Sequence, residues 1–322
     1  MQAIAGSHKS GAARLGDPAS PTRTVCGPLT IFSAAERHVC EPLLRAFARQ
    51  HPTVEIDFVF GISSELHRRY LGEVESGRPT ASLLWSSAMD LQMALVIDGH
   101  ARPHNVRPNI SLAPAWRDTV AATTYEPLFN LSRHVPAPRT LGEVATLIKR
   151  DAQRFHRRIV VPDIESNGLG FFALLYSRLH DPAFDEFLDA VQACAPRTAK
   201  SMPALVSALE EGAELVLHVL AGYAMRAKAA IPELRLAASP VTISRLALIP
   251  RGAPNPDAAA AFLRYMLSSE GQAGMAKGGL APLPAATGEV NPLSIEEDFS
   301  QYLNATTRAE LLARWRKTVG RS

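Results

Sequence analysis

The chain has 322 residues, 47% of them hydrophobic and 20% charged; at roughly 150 residues per domain this makes about two domains with real cores, and it excludes a disordered chain or a disulfide-stapled miniprotein. Its 34 basic and 31 acidic residues leave a net charge of +3 spread along the sequence. No nucleic-acid partner is expected from that balance, and the short runs Arg68-Arg69 and His156-Arg157-Arg158 read as solvated faces.

Residues 1–23 are rich in Ala, Gly, Ser and Pro and lack the apolar h-region of a secretory signal; they read as a disordered leader. No stretch approaches the roughly 18 to 20 apolar residues of a membrane span. The cysteines Cys26, Cys40 and Cys194 contain no C-x-x-C pair. A Cys26–Cys40 disulfide is disfavoured, because a strand rising about 3.3 Å per residue and a helix returning at about 1.5 Å per residue leave the two positions out of step. Buried free thiols are expected.

From Leu29 the pattern turns regular. Residues 29–32 read as a buried strand, and Ser33 as the cap of a helix over 34–49, in which Pro42 predicts a kink or a late start. Residues 54–60 alternate with period two as a strand, Gly61-Ile62-Ser63-Ser64 turns into a helix over 65–76, and a strand over 81–85 runs through Ser86-Ser87 into a helix over 89–98 that Gly99 ends. This β-α-β-α-β-α order predicts a parallel sheet with helices on its faces. Ligands of such sheets sit beyond the carboxyl ends of the strands. The turns at Ser33, Ser63-Ser64 and Ser86-Ser87 would share that edge, where backbone N–H groups and hydroxyls suit an anion, although serine caps helices whether or not it meets a ligand.

A Pro-rich passage over 103–114 and an extended segment over 121–131 predict a crossing into a second lobe. There a helix over 140–151, a strand over 158–162, helices from Ser166-Asn167-Gly168 to residue 180 and over 184–193 and 203–211, a strand over 215–220, and a helix over 224–229 after Gly222-Tyr223 repeat the strand-turn-helix logic. Extended residues 234–249 return the chain, and helices over 256–267, 268–276 and 306–319 close it, the last with Leu311, Leu312 and Trp315 on one face. Two crossings make a hinge.

The run Ser244-Arg245-Leu246-Ala247-Leu248-Ile249-Pro250-Arg251-Gly252-Ala253-Pro254-Asn255-Pro256-Asp257-Ala258-Ala259, continuing through Phe262 to Ser268-Ser269-Glu270-Gly271-Gln272, resembles the I-P-x-G-A-P-x-P-x-A-A stretch and its S-x-E-G-Q end in family 1 extracellular solute-binding proteins of ABC importers. Ala48-Arg49-Gln50-His51-Pro52-Thr53-Val54-Glu55 and Ser82-Leu83-Leu84-Trp85-Ser86-Ser87 agree in order, so the resemblance covers about 29–281. It implies an α/β, two-lobed periplasmic-binding-protein-like fold of the second type, each lobe a mixed, mostly parallel sheet flanked by helices, with a two-strand hinge. It further implies a periplasmic, non-enzymatic protein that delivers its ligand to an ABC permease. The lobes expected are 24–127 plus 245–322, and 128–244; a monomer is expected.

Two branches of that family differ in ligand. Ferric binders pair adjacent tyrosines with acidic or histidine ligands, since Fe(III) prefers hard oxygen donors; here Gly222 precedes Tyr223. Leu217-His218-Val219-Leu220-Ala221-Gly222-Tyr223-Ala224 resembles instead the Y-N-V-L-G-S-Y-A segment of binders of phosphorylated sugars and phosphoglycerate-like acids, with His218 for Asn and Gly222 for Ser. An organic anion is therefore expected, with ferric iron and a ligand-sensing regulatory domain as alternatives. A regulator of that architecture needs a helix-turn-helix that residues 1–23 are too short and polar to supply.

The expected ligand-binding residues are Ser33, Ala34, Ser63, Ser64, Ser86, Ser87, Ser166, Asn167, Gly168, His218, Tyr223 and Thr242. No cofactor, metal or catalytic residue is expected. Gly168-Leu169-Gly170-Phe171-Phe172-Ala173 matches G-x-G-x-x-A, but five residues separate it from its strand, where a dinucleotide site needs the glycines at the strand's end. His100 and His104 lie in a Pro-containing loop and do not share the helix face a metal pair would use. No G-x-S-x-G, H-E-x-x-H or Walker A run occurs.

Overall fold

A computed structural model describes residues 25–106, 116–284 and 299–320. The expected leader and most of the Pro-rich passage, residues 107–114, lie outside the described residues. The chain begins with the predicted alternation: β1 (Gly27–Ser33), α1 (Arg37–Gln50), β2 (Val54–Phe60), α2 (Ser63–Glu75), β3 (Leu83–Ser86) and α3 (Met89–Ile97). Next come β4 (Ala121–Ala122), β5 (Glu126–Ser132), α4 (Leu141–Arg150), α5 (Ala152–Phe155), β6 (Ile159–Pro162) and α6 (Gly168–His180). They are followed by α7 (Phe184–Ala193), β7 (Arg197–Ala199), α8 (Met202–Glu210), β8 (Leu215–Leu220), α9 (Ala221–Ala230) and β9 (Arg235–Ile243). The last elements are β10 (Leu246–Leu248), α10 (Pro256–Leu267), α11 (Ser269–Gly278), α12 (Ser300–Leu303) and α13 (Ala305–Thr318).

Local chemistry sets many of these boundaries. Asn167, Ser201, Asn255, Ser268 and Asn304 each accept an N–H of the first turn that follows, which satisfies a helix donor that has no partner within the helix. Pro256 opens α10 at a position whose N–H would be idle. The expectation that Ser33 caps the first helix fails: its hydroxyl accepts the Ala35 N–H within the turn at 3.1 Å, and α1 starts three residues later, behind Glu36. That late start leaves Pro42 in the second turn, where it deprives only the carbonyl of exposed His38 of a partner.

The first sheet runs β2-β1-β3-β10-β4 and the second β7-β6-β8-β5-β9. In each, three strands are parallel and the rest pair antiparallel, giving the mixed sheets expected. Leu29, Ile31, Leu43, Phe47 and Phe262 form a core between the first sheet and α1 and α10. The opposite face, with Phe32, Leu84 and Met93, joins the core of the second sheet. The terminal helix departs from expectation. Its Leu311 and Trp315 are fully buried and α13 packs on α7 and α6, so residues 299–320 lie with the second sheet, whereas residues 245–322 had been expected with the first. Cys26 is exposed rather than buried, Cys40 and Cys194 are buried, and all three are free.

Candidate functional site

Each sheet has one edge at which strands end and helices begin. On the first, β2, β1 and β3 end at Phe60, Ser33 and Ser86, and β10 starts there because Leu246 pairs with Ser86. On the second, β6 and β8 end at Pro162 and Leu220, and β5 starts there because Leu128 pairs with Leu220. The two edges meet. A Cβ at Gly168, the first residue of α6, would lie 2.7 Å from the Ala88 Cβ and 3.1 Å from the Ser63 Cβ. Gly222, the second residue of α9, abuts the carbonyl of Gly279 behind α11. Only glycine fits these close approaches. Gly170 packs instead on Pro162 of its own sheet, where a Cβ would sit 2.6 Å from the proline Cβ; the G-x-G spacing serves packing.

Between the edges lies a cavity of about 270 Å³ lined by Ser64, Asp90, Ser166, Gly168, Arg308 and Arg316 among others. Arg308 donates to Asp90 at 2.7 Å and Arg316 to Glu165 at 2.8 Å, so α13 lends two guanidinium groups to the cleft. A larger cavity, about 1110 Å³, opens at the far edge of the first sheet among Cys26, His51, Arg102 and Arg264. It lies where β1 begins and β10 ends, away from the carboxyl edge and from every expected ligand residue, and the chemistry favours the smaller cavity.

The expected residues divide. Ser63 and Ser86 come together, with the Ser86 hydroxyl donating to that of Ser63 at 3.0 Å and accepting the Ala88 N–H at 3.1 Å. Ser64, Ser166 and Gly168 line the cavity. Ser87 is buried beside them at the start of α3. Ser33 and Ala34 are withdrawn, one by its bond to Ala35 and the other because its N–H donates to the Trp85 carbonyl. The Asn167 side-chain oxygen is taken by the Gly170 N–H at 2.9 Å. Thr242 stands half-buried in β9 opposite Pro127.

His218 is buried, 3% exposed, in a bulge of β8 with φ 58°. Its N–H donates to the Asn130 side-chain oxygen at 3.2 Å, and burial lowers its pKa to about 4, so the ring is neutral near pH 7. Tyr223 is nearly buried, with the Arg226 guanidinium 4.4 Å over its ring. Its hydroxyl faces the Glu36 carboxylate, and burial followed by that charge raises its pKa. A hydrogen bond towards Glu36 contributes to that rise, although it falls short of good geometry.

Sequence reasoning missed Arg245, Glu36, Arg308 and Arg316. Arg245 is 3% exposed, with Nε 3.0 Å from Glu126 Oε1. That pair is close but misaligned for a hydrogen bond, and Nη1 also lacks one. A signal was present, since Arg245 is the one charged residue in the apolar extended run from Val241 to Ile249. Among the described residues no three His, Cys, Asp or Glu side chains gather as for a metal ion.

The model of bacterial extracellular solute-binding proteins matches residues 29–281. No curated protein matches the chain in sequence. Among solved structures, the substrate binding protein of the ABC transporter from Agrobacterium tumefaciens superposes with a TM-score of 0.78 at 24% identity, over 94% of this chain and 97% of that one. The periplasmic binding protein AfuA from Actinobacillus pleuropneumoniae, with exogenous fructose-6-phosphate bound, gives 0.71 at 18% over 92% and 99%. Iron-bound HitA from Pseudomonas aeruginosa gives 0.66 at 15% over 90% and 99%. At these identities the structural likeness establishes the fold.

Proposed function

Because the chain belongs to the bacterial extracellular solute-binding proteins, the binding components of ABC transporters, we propose that it captures an organic anion, a phosphorylated sugar or phosphoglycerate-like acid, between its two sheet edges and presents it to a permease. The family is extracellular or periplasmic, and no helix among the described residues is long and apolar enough to cross a membrane.

The observation that carries the anion reading is the cavity between the edges, where Ser64, Ser166 and Gly168 open helices or precede them and Arg308 and Arg316 add positive charge. Helix N-termini bring idle N–H donors and a partial positive charge to an anion. The two arginines are already paired with Asp90 and Glu165, so the local field is balanced, and selectivity falls to the directed donors. Hinge closure of one lobe on the other would then bury the ligand. We take 25–127 with 245–284 as one lobe and 128–244 with 299–320 as the other, the last by the packing of α13.

Both AfuA, with its bound fructose-6-phosphate, and iron-bound HitA share this fold, so fold does not choose between anion and iron. Tyr223 stands alone after Gly222 and lies between Arg226 and the Glu36 carboxylate, a setting that suits hydrogen bonding to an oxyanion better than Fe(III) ligation. Titration calorimetry against fructose-6-phosphate, 3-phosphoglycerate, a phosphonate, a dicarboxylate and Fe(III) tests the proposal. One-to-one binding of a phosphorylated organic acid is expected. Binding of Fe(III) alone, or of nothing in the panel, overturns it.

A further inference from the structure

We propose that Arg245 is the residue that reads the ligand's charge, with Tyr223 and Glu36 completing a pocket at the hinge end of the cleft for an acidic group flanked by a hydroxyl or amino donor. This rests on the cleft reading above and narrows it to organic anions that carry such a donor.

Placement comes first. Arg245 lies in the short link between β9 and β10, where the chain passes from the second sheet to the first. Ladder register sets Leu246 opposite Ser86 and Ile243 opposite Glu126, so Arg245 stands at the carboxyl edge of both sheets at once. Its backbone is fixed there. The Arg245 N–H donates to the Thr124 hydroxyl at 2.9 Å, and its carbonyl accepts the Thr123 N–H at 3.0 Å and the Thr123 hydroxyl at 2.7 Å. The two crossing segments therefore fix the Arg245 backbone against each other.

That side chain is only partly used. Glu126 occupies the Nε side of the guanidinium, while Nη1, in a residue 3% exposed, has no hydrogen-bond partner. A buried guanidinium N–H without an acceptor weakens the fold, and its planar fork matches a carboxylate or phosphate. Across the cleft stands the Tyr223 hydroxyl, which lacks a well-formed hydrogen bond and leans on Glu36 in the turn before α1. An oxyanion on Arg245 Nη1 satisfies the buried guanidinium and offers the Tyr223 hydroxyl a better-placed acceptor.

Glu36 sets the remaining requirement. A fully ionised inorganic anion such as sulfate would meet its carboxylate with nothing to donate, whereas a sugar phosphate or hydroxy acid has a hydroxyl to offer. The charges of Arg245, Arg226, Glu36 and Glu126 sum to zero, so recognition depends on which atoms face the ligand and not on net attraction.

Calorimetry on the full chain with fructose-6-phosphate, 3-phosphoglycerate, fructose and sulfate tests this, using Tyr223→Phe and the charge-neutral double variant Arg245→Gln/Glu126→Gln. Tyr223→Phe removes a hydroxyl without a well-formed hydrogen bond, so it is expected to leave the melting temperature nearly unchanged while weakening the bound organic anion by ~tenfold or more, the worth of a hydrogen bond to a charged group. The double variant is expected to lose at least as much, and wild type to bind sulfate far more weakly than the organic anion. Wild-type binding that both variants retain overturns the role of Arg245 and leaves the cleft reading standing. Equal affinity for sulfate overturns the role of Glu36, and wild type that binds no anion overturns both readings.

Discussion

Gly222→Ala separates closure of the cleft from folding of either lobe. Gly222 opens α9 in the second lobe and touches Gly279, the left-handed cap of α11 in the first, with φ 90°. A Cβ at 222 would come 2.8 Å from the Gly279 carbonyl carbon and closer still to its oxygen, whereas carbon atoms in good contact stay about 3.5–4.0 Å apart. The lobes would have to part by about 1 Å at that point. Overpacking of this size costs about 1–3 kcal/mol, and because the contact is between lobes the cost falls on the closed form alone. At about 1.4 kcal/mol per tenfold, ligand affinity should drop by about 5- to 150-fold. Intrinsic propensity pushes the other way, since alanine favours a helix over glycine by about 1 kcal/mol, so thermal stability without ligand should hold or rise. Calorimetry and the ligand-induced change in radius of gyration by small-angle scattering give the two readouts. A Gly222→Ala protein that binds and compacts like wild type would refute the closed contact.

Three further outcomes are expected. Arg308→Gln leaves Asp90, 1% exposed and with its other oxygen already unpartnered, without its 2.7 Å partner; discounted for the partial exposure of Arg308, the loss is about 1–3 kcal/mol, seen as a lower urea midpoint, and an unchanged midpoint would contradict the pairing. His218 has a folded pKa lowered by burial to about 4 from an ordinary value of 6.5, so the unfolded chain takes up more protons and stability falls as pH drops from about 6.5 towards 4, by about 3 kcal/mol in all. His218→Asn, which tolerates the left-handed backbone, should flatten that dependence in denaturant melts at pH 4.5 and 7.5, and an equally steep curve would disprove the assignment. A thiol reagent should label one cysteine in the native protein and three after unfolding, because Cys26 alone is exposed and burial pushes the Cys40 thiol up to about 12; rapid native labelling of two would show that the core around Cys40 or Cys194 opens.

The fold was legible where periodicity and capping agree. The alternation from Leu29 to Ile97, the helix with Pro256 behind Asn255, and the strand of Leu215 to Leu220 all announce themselves through spacing and cap chemistry. The three residues of β7, Arg197–Ala199, carry too little pattern to stand out. Ser33 misled because a serine that turns the chain and one that caps a helix look alike until the hydroxyl's partner is known. The placement of α13 on α7 depends on a surface that two distant segments make together, which no local pattern reveals. Of the site, the serine and glycine turns could be read, since edge chemistry follows from strand-turn-helix order. The glycine contact across the lobes and the half-used Arg245 could not, although a lone arginine in an apolar run is a mark worth weighing.

A crystal structure with the tightest binder of the phosphorylated panel tests capture between the lobes most directly. The ligand is expected between the Ser63–Gly168 contact and the Arg245–Tyr223 pair, with its acidic group on Arg245 Nη1. Ligand density in the larger cavity among Cys26, His51 and Arg264, with the cleft empty, would contradict it.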